Sequence, residues 1–518
     1  MLRVFQDDLR DPNRFLVTLE LVPGREVGGR SAATVKDLAH AAFDDGRISA
    51  VSITDNPGGN PSLSPDVIGS EIFKVGMDVI VHFTCRDTNR VGMESRALQL
   101  AHMGMKNILA LTGDYTGRGF GGQGAPVFDL DSVQLLAMFS LLSARLDAAG
   151  DPDGYFAGCA VSPFKYTEAE SFSQYAKWCR KCAAGARFTI TQLGFDTRKL
   201  EELARMHRLL GLAVPVLGSV YLLTPGAAKV MHAGQIPGAR VSAPLLAQVR
   251  SEWQDKAEGR RRAVERAARL AVIMKGLGYR GIHIGGVHRS FGLVARMLDR
   301  MAEIEDRWQS FLPGFKEETP SRGFYAFSEN RRRRHQTRFG KYPARPPLTE
   351  RTHFRLLDAV HRWFFTRQSF WAGPCRWAAG WLERGRRRRR AFHLAESTFK
   401  IALLACRQCG DCGIQHLAYL CPESQCPKHT RNGACGGSRD GRCEVRPERH
   451  CVWYRAYRRW AWAGRPAEMG AGCVPPRMWE LEGSASWLNF HLGRDHQSNA
   501  NGLSTMCRTT DCRLPDLP

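Results

Sequence analysis

Eight short apolar runs recur along roughly the first 290 residues of this 518-residue chain. Each run is followed by a stretch with the 3.6-residue apolar period of an amphipathic helix. This alternation predicts an α/β fold, a closed (β/α)₈ TIM barrel, in which the active site lies at the carboxyl ends of the strands. The predicted strands are Phe15–Leu21, Ile48–Ile53, Val79–Phe83, Asn107–Leu111, Tyr155–Val161, Phe188–Thr191, Val214–Val220 and Gly281–Ile284.

Polar residues stand at or just past the ends of several of these runs. Glu20 lies within an otherwise apolar strand, where burial would raise its pKa toward that of a general acid; a salt bridge to a neighbouring strand is the alternative. Gly113 lets a ligand approach the backbone closely, and Gln192 can donate and accept hydrogen bonds at once. The pattern therefore predicts a polar pocket at one rim of the barrel. The residues at these ends are Glu20, Thr54, Thr84, Asp114, Ser162 and Gln192.

Composition changes after the last predicted βα unit and divides the chain into four segments. Residues 1–305 form the predicted barrel, and residues 306–389 form a basic, aromatic connector. Residues 390–496 are rich in cysteine, and residues 497–518 form a polar tail. Within the connector, residues 353–383 predict a helical hairpin packed on the next domain. An interfacial membrane helix is the alternative there, because tryptophan and arginine occur together.

The formal net charge of +23 is concentrated outside the predicted barrel. Residues 301–400 hold 22 Lys and Arg against 10 Asp and Glu, largely in the runs Arg331–Arg334 and Arg386–Arg390. We interpret these runs as solvated surface, with an anionic partner such as lipid headgroups, RNA or an acidic protein as the alternative. The sequence shows no signal peptide and no apolar run of membrane-spanning length, so we expect a cytoplasmic protein.

Eight of the 16 cysteines fall between Cys406 and Cys451. In a cytosolic chain such clustering indicates metal binding rather than disulfides. Two tandem C-x₂-C steps followed by Cys-Pro are typical of iron–sulfur ferredoxins, but the next gap is longer here and zinc also accepts four thiolates. We therefore predict two four-cysteine sites that hold either iron–sulfur clusters or zinc. The candidate ligands are Cys406, Cys409, Cys412, Cys421, Cys426, Cys435, Cys443 and Cys451.

Five segments within residues 11–300 resemble methylenetetrahydrofolate reductases, in the order of that family and at similar spacing. They are Thr18-Leu-Glu20-Leu-Val-Pro, Ser52-Ile-Thr54, His82-Phe-Thr84-Cys-Arg-Asp, Ala110-Leu-Thr-Gly-Asp114 and Ala184-Gly-Ala-Arg-Phe-Thr-Ile-Thr-Gln192. The resemblance implies a flavin-binding barrel that reduces 5,10-methylenetetrahydrofolate to 5-methyltetrahydrofolate. It further implies FAD as the flavin, NAD(P)H as the hydride donor, folate as the substrate and a homo-oligomer.

The same resemblance implies roles for individual residues. Glu20 aligns with the general acid that helps to protonate N10 of the folate and so opens its five-membered ring. Asp114 aligns with a carboxylate near both flavin and pterin, and Gln192 with a glutamine that contacts folate and nicotinamide. Arg180 and Lys181 would face the phosphate of the flavin. The implied flavin-contacting positions are Thr54, His82, Thr84, Thr112, Gly113, Asp114, Arg180 and Lys181.

Residues 390–495 resemble a second module, the C-terminal domain of certain methylenetetrahydrofolate reductases and the small partner subunit of acetogen-type reductases. The resemblance implies a structural or redox partner fused in cis to the barrel. We also expect an electron-transfer or methyltransferase partner protein. The segments that carry the resemblance are Cys406–Cys412, Tyr419–Lys428, Asn432–Gly437, Cys443–Val445 and Cys451–Tyr457.

Several positions depart from the pattern of the family. Thr112 stands where the family has an arginine, Ser162 and Tyr166 replace a tyrosine and a histidine, and Gln174 replaces a carboxylate. These positions touch the flavin tail, so FMN is the alternative to FAD. Two other functions remain open. One is the oxidation of methyltetrahydrofolate with electrons passed to an iron–sulfur partner. The other is a non-catalytic zinc protein that binds nucleic acid or a protein partner, although we expect no nucleic acid.

Overall fold

A closed barrel of eight parallel strands forms the first half of the protein. A computed structural model describes residues 5–27, 29–151, 153–287, 290–318, 323–327 and 345–498. The strands follow the order β1-β2-β3-β4-β7-β8-β9-β10, and β10 pairs with β1 to close the barrel. The short strands β5 (Arg118–Gly119) and β6 (Gly122–Gln123) form a hairpin after β4. The barrel strands are β1 Leu16–Leu21, β2 Ala50–Ile53, β3 Val79–Thr84, β4 Asn107–Leu111, β7 Phe156–Val161, β8 Thr189–Thr191, β9 Val216–Tyr221 and β10 Gly281–Gly285.

All eight predicted strands are confirmed, with ends that differ by at most a few residues. The amino-terminal end of the barrel is closed by the short helix α1 (Phe5–Arg10). Its Phe5 is fully buried and packs edge-on against Phe156 and Phe188 of the barrel interior. The Phe5 N–H also donates to Asp78 Oδ2 at 2.8 Å. This plug leaves the carboxyl end of the strands as the rim where a site can form.

Helices follow the strands as the apolar period predicts, with one difference. Between β9 and β10 the chain forms three helices instead of one, beginning at Pro225, Ala243 and Lys256. The last of them is separate because Asp255 accepts the Ala257 N–H at 2.7 Å and starts a new helix there. The barrel helices after α1 are α2 Arg30–Asp45, α3 Pro65–Lys74, α4 Arg90–His102, α5 Ser132–Ala148, α6 Glu168–Ala183, α7 Thr197–Leu209, α8 Pro225–His232, α9 Ala243–Glu252, α10 Lys256–Gly276 and α11 Gly292–Ile304.

The second half of the described chain is helical and rich in loops. Two helices stand where the sequence predicts a hairpin over residues 353–383, and they are the first two of this part. None of the described helices is long and apolar enough to cross a membrane. The run Arg331–Arg334 lies outside the described residues. The helices are α12 Leu348–Phe364, α13 Ala372–Glu383, α14 Arg386–Leu404, α15 Pro422–Gln425, α16 Val452–Trp462 and α17 Ser486–His491.

The cysteine-rich part packs directly on the barrel and shares a hydrophobic core with it. Tyr457 of α16 stacks on Phe172 of α6 with ring centroids 5.8 Å apart, and its hydroxyl donates to Glu168 Oε1 at 3.0 Å. As a result, every residue of α6 from 168 to 181 is buried. The two parts therefore form one continuous body along this side of the barrel.

One buried carboxylate, Asp131, joins the two parts at the rim. Its side chain caps α5 by accepting the N–H groups of Val133 and Gln134 at 2.9 and 3.3 Å. Its other oxygen accepts the backbone N–H groups of Arg431 and Asn432 at 3.1 and 2.9 Å. The Asn432 side-chain amide adds a third donor from that segment, at 3.2 Å. Asp131 is only 1% exposed, so these donors replace the water it gives up.

We expect Asp131→Ala to destabilise the protein by about 3 kcal/mol, because it leaves several buried N–H groups without an acceptor. The measurement is the free energy of urea unfolding, with the rate of proteolysis within residues 428–444 as a second readout. Asp255→Ala is the matched control, since Asp255 caps an exposed helix start, and its loss should cost about 1 kcal/mol. Equal losses for the two variants would show that Asp131 does no more than cap a helix.

Candidate active site

A cavity of about 550 Å³ opens at the carboxyl end of the barrel strands. Most of the predicted site residues line it: Glu20, Thr54, His82, Thr84, Thr112, Gly113, Asp114, Ser162, Lys181 and Gln192. The cavity is the size of a small-molecule or cofactor site. Residues from positions 428 to 444 also line it, so the cysteine-rich part supplies some of its wall.

Glu20 forms a pair with a histidine that the sequence did not single out. Glu20 Oε2 lies 3.7 Å from Nε2 of His283, which stands on the neighbouring strand β10. The other ring nitrogen of His283 lies 2.9 Å from the Thr18 hydroxyl. His283 is buried and Glu20 is partly open to the cavity. The pair therefore holds an acid–base group at the rim, with the imidazole fixed by its hydrogen bond to Thr18.

The pKa of Glu20 lies below the usual value for a glutamate, which is opposite to the direction that burial alone predicts. Burial raises this pKa, but the contact with His283 and the charges of His283 and His82 lower it by more. The pair with His283 corresponds to the alternative that the sequence left open, a salt bridge to a neighbouring strand. The sequence did not show which residue of that strand would stand beside the carboxylate.

His82 contributes a neutral ring to this site. Burial lowers its pKa to about 4, although the charge of Glu20 opposes that shift. Its Nε2 lies 2.6 Å from the Ser52 hydroxyl on β2. His82 therefore offers the cavity a hydrogen-bonding ring without a charge at neutral pH.

Asp114 follows β4 and lies across the cavity from Glu20. Its Oδ2 accepts the N–H of Gly58 at 3.0 Å, which leaves the other carboxylate oxygen for a ligand. Gly113, with a φ of 88°, has the left-handed backbone that glycine allows, and an added Cβ would lie 3.1 Å from Thr84. Thr84 itself donates its hydroxyl to Asp55 at 3.0 Å. The missing side chain at Gly113 thus leaves its backbone accessible beside the Asp114 carboxylate.

Threonine and serine hydroxyls also line the cavity, among them those of Thr54, Thr112, Ser132 and Ser162. Thr112 bonds Ser132 at 3.2 Å. Within the described part of the chain, the buried hydroxyls of Thr54 and Ser162 have no hydrogen-bond partner. Buried polar groups without partners are costly, so these two are suited to bind a polar ligand that enters the cavity.

Gln192 lies at the end of β8, where its amide is positioned by local backbone. Its Nε2 donates to Pro237 O at 2.9 Å, and its Oε1 accepts the Leu193 N–H at 2.8 Å. Each amide atom keeps one further hydrogen-bonding position. The loop at 236–238 therefore orients this amide, which the structure brings to the same cavity as Glu20 and Asp114.

Residues 428–444, here called the covering segment, close one side of the cavity. Lys428 is buried, pairs with Glu444 and donates to Gly113 O at 2.7 Å. Lys165 of the barrel donates to Gly436 O and Ser438 O, each at 2.5 Å. Sequence reasoning missed Lys428 and Glu444, because nothing in a local pattern shows that residues more than 300 positions apart meet.

The two predicted phosphate-facing residues have different surroundings. Lys181 lines the cavity, and its Nζ donates to Ala160 O at 2.6 Å. Burial lowers its pKa to about 8. Arg180 instead donates to backbone carbonyls of the cysteine-rich part: those of Asn432, Met469, Ala471 and Gly472, at 2.6 to 3.4 Å. The role of Arg180 toward phosphate stays a prediction, and the structure gives its guanidinium other partners.

The charges that act on each thiol divide the eight cysteines into two groups of four. Burial raises the pKa of Cys406, Cys409 and Cys421, and the charge of Cys412 raises each further. Burial likewise raises the pKa of Cys435, Cys443 and Cys451, to which the charge of Cys426 adds. Among the described residues, however, no three His, Cys, Asp or Glu side chains converge closely enough to hold one metal ion.

Comparisons with known families match both parts of the chain. The family described as Methylenetetrahydrofolate reductase matches residues 6–300. The family described as Methylene-tetrahydrofolate reductase C terminal matches residues 386–480.

A relative from Caenorhabditis elegans, named probable methylenetetrahydrofolate reductase (NADPH), is 26% identical over 220 residues. The match covers 41% of this chain and 31% of the relative, so the chain spans about a third of the length of that protein. Among solved structures, a Clostridium thermocellum protein that binds two copies of 5-methyl-5,6,7,8-tetrahydrofolic acid is 12% identical, with a TM-score of 0.39. That match covers 58% of this chain and 98% of the other. A 2,3-dimethylmalate lyase is 13% identical over 58% of this chain and 85% of its own, with a TM-score of 0.33.

His82 makes stability depend on pH in a defined window. Its pKa is about 4 in the folded protein and 6.5 in an unfolded chain, so the unfolded state binds the extra proton between these values. Stability should therefore fall by about 3 kcal/mol as pH is lowered from about 7 to 4. We expect His82→Gln to remove this part of the pH dependence, measured by urea unfolding across that range. His40→Gln, on the exposed face of α2, should keep the wild-type slope. A wild-type slope in His82→Gln would contradict the assignment.

Proposed function

The chain belongs to the methylenetetrahydrofolate reductase family, and from that premise we propose that it reduces 5,10-methylenetetrahydrofolate to 5-methyltetrahydrofolate with a bound flavin. The observation that carries the proposal is the single cavity that holds the Glu20–His283 pair, Asp114 and Gln192. A pterin has hydrogen-bond donors and acceptors along one edge. A carboxylate and an amide can bind that edge, and an acid–base pair can supply the proton that the reaction needs.

The cavity has the features that a flavin ring needs. It offers hydrogen-bonding groups that carry no charge. These are the unpartnered hydroxyls of Thr54 and Ser162, the neutral ring of His82 and the backbone at Gly113, which has no side chain to cover it. When bound, the flavin would accept a hydride from a nicotinamide nucleotide and pass it to the folate methylene. The name of the C. elegans relative supports NADPH as the donor.

The surroundings of Arg180 favour FMN over FAD. Arg180 is engaged by the carbonyls of residues 469–472, and α6 is buried along its length. FMN would need only one phosphate site, whereas FAD would need a second phosphate site and room for its adenylate half. Lys181, inside the cavity, is the residue we assign to that phosphate.

Proton delivery is the task of the Glu20–His283 pair. In the open cavity Glu20 is ionised at neutral pH, since its pKa is lowered. Folate and flavin would exclude water from the cavity, and desolvation favours the neutral carboxyl. Glu20 then holds the proton that the pair shares, and can deliver it to the folate nitrogen as the ring opens. Asp114 and Gln192 orient the pterin during this step.

We expect Glu20→Gln to slow folate-dependent turnover at least about 100-fold, because the general acid is lost. Reduction of the flavin by the nicotinamide nucleotide should stay close to the wild-type rate, since that step needs no proton from Glu20. Stopped-flow absorbance of the two half-reactions measures both, and mass analysis of the released flavin identifies FMN or FAD. Glu26→Gln, on the exposed loop after β1, is the matched control. A chain without bound flavin, or equal rates for the two variants, would overturn the proposal.

We also propose that the two cysteine groups bind metal, iron–sulfur or zinc, after their thiols turn toward a shared centre. Metal analysis of anaerobically purified protein should find both groups occupied. Cys409→Ser or Cys443→Ser should each lower the metal content by about half, because four thiolates make one site. Cys375→Ser, a buried thiol in α13 outside both groups, should leave it unchanged. Protein that holds no metal would refute this proposal while leaving the folate chemistry intact.

A further inference from the structure

Helix α13 turns its small residues toward the protein and its largest apolar residues outward, which is the reverse of a usual surface helix. Its buried face consists of small side chains, Ala372, Cys375 and Ala379, which are 6%, 7% and 0% exposed. The opposite face carries Trp377 and Trp381, 73% and 48% exposed. Tryptophan is among the most buried residues on average, and an amphipathic helix normally turns its large apolar side chains inward. This helix therefore presents two indole rings to the outside, one turn apart.

The aromatic surface extends beyond these two residues. Phe370, just before α13, is 88% exposed and its ring lies 5.6 Å from that of Trp371. Pro374 is exposed on the helix between Phe370 and Trp377. We call Phe370, Pro374, Trp377 and Trp381 the tryptophan face. A contiguous exposed aromatic strip of this kind is a sign of an interaction surface.

Arginines border the tryptophan face. The guanidinium of Arg388, in the first turn of α14, lies 4.1 Å from the centre of the Trp381 ring. Between positions 365 and 390 the chain has eight arginines and one acidic residue, Glu383, which pairs with Arg389 and Arg494. Within the part of the chain that the structure describes, Arg386, Arg387 and Arg390 have no carboxylate partner. The surface is therefore strongly positive beside its aromatic strip.

An apolar cavity of about 260 Å³ lies among the neighbouring helices α12, α14 and α17. Phe365, Phe392, Phe399 and Phe490 contribute to its walls. A cavity lined largely by rings and aliphatic chains has room for hydrocarbon and offers few groups that would hydrogen-bond to a nucleic-acid base. This favours a lipid over RNA as the anionic partner.

We propose that the tryptophan face docks on the surface of an anionic lipid bilayer. Indole rings sit at the boundary between headgroups and acyl chains, and arginines beside them attract anionic headgroups. The contact is peripheral, with the helix lying along the bilayer surface. It is independent of the proposed reaction, because the tryptophan face contributes nothing to the barrel cavity.

The test is flotation of the full-length protein with vesicles. We expect binding to phosphatidylcholine vesicles that contain about a third phosphatidylglycerol, weak binding to pure phosphatidylcholine, and release by salt. Trp377→Ser with Trp381→Ser should weaken binding at least about tenfold, and each removal of Arg386, Arg387 or Arg390 about fivefold. Lipids brominated on the acyl chain should quench a tryptophan fluorescence component that the double variant lacks.

Matched controls separate this surface from general charge and stickiness. Phe120→Ser removes a fully exposed aromatic on the barrel hairpin, and Arg260→Gln removes an exposed arginine on α10. Both should bind vesicles as the wild type does. The double tryptophan variant should keep wild-type thermal stability, since neither ring is buried. Wild-type vesicle binding by that variant would overturn the proposal. Tighter binding to a single-stranded RNA than to anionic vesicles, lost in the same variant, would also overturn it and assign the surface to nucleic acid.

Discussion

A carboxylate buried between two distant parts of the chain fixes the architecture of this protein. Asp131 caps α5 of the barrel and accepts N–H groups from Arg431 and Asn432 of the covering segment. A buried carboxylate is tolerated only where donors surround it, and here the donors come from both parts. Without the covering segment the second oxygen of Asp131 lacks these donors, and without Asp131 the N–H groups of Arg431 and Asn432 lack this acceptor. The position of the covering segment over the barrel rim follows from this requirement.

That position changes the electrostatics of the cavity. The resemblance to the family implies an arginine where this chain has Thr112, so the barrel lacks a cation at that position. Lys428 supplies one from the covering segment, since it donates to Gly113 O at 2.7 Å. Burial lowers the pKa of Lys428, but the charges of Glu444, Cys435 and Asp114 raise it by more. A positive group thus stands beside the carboxylate of Asp114, although it comes from a different part of the chain.

The barrel could be predicted from the sequence because each of its strands has a local pattern of residues. Each strand buries both faces in a parallel barrel, so each appears as a short apolar run, and polar residues at the ends of those runs mark the rim. Glu20, Asp114 and Gln192 were found in this way, and the structure places them in one cavity. The direction of the Glu20 pKa was not predictable in the same manner, because it depends on which residues neighbouring strands bring close. His283 stands in an apolar strand and gave no separate signal.

The features that the sequence did not predict depend on contacts between residues that lie far apart in the chain. The partners of Arg180 lie about 290 positions away, so no spacing rule could show that its N–H groups bind carbonyls. The same holds for the link between the cysteines and the cavity. Cys435 donates to Glu444, which pairs with Lys428, which in turn binds the backbone beside Asp114. These three side chains therefore connect the cysteine-rich part to the barrel cavity, and no pattern within either part alone shows the connection.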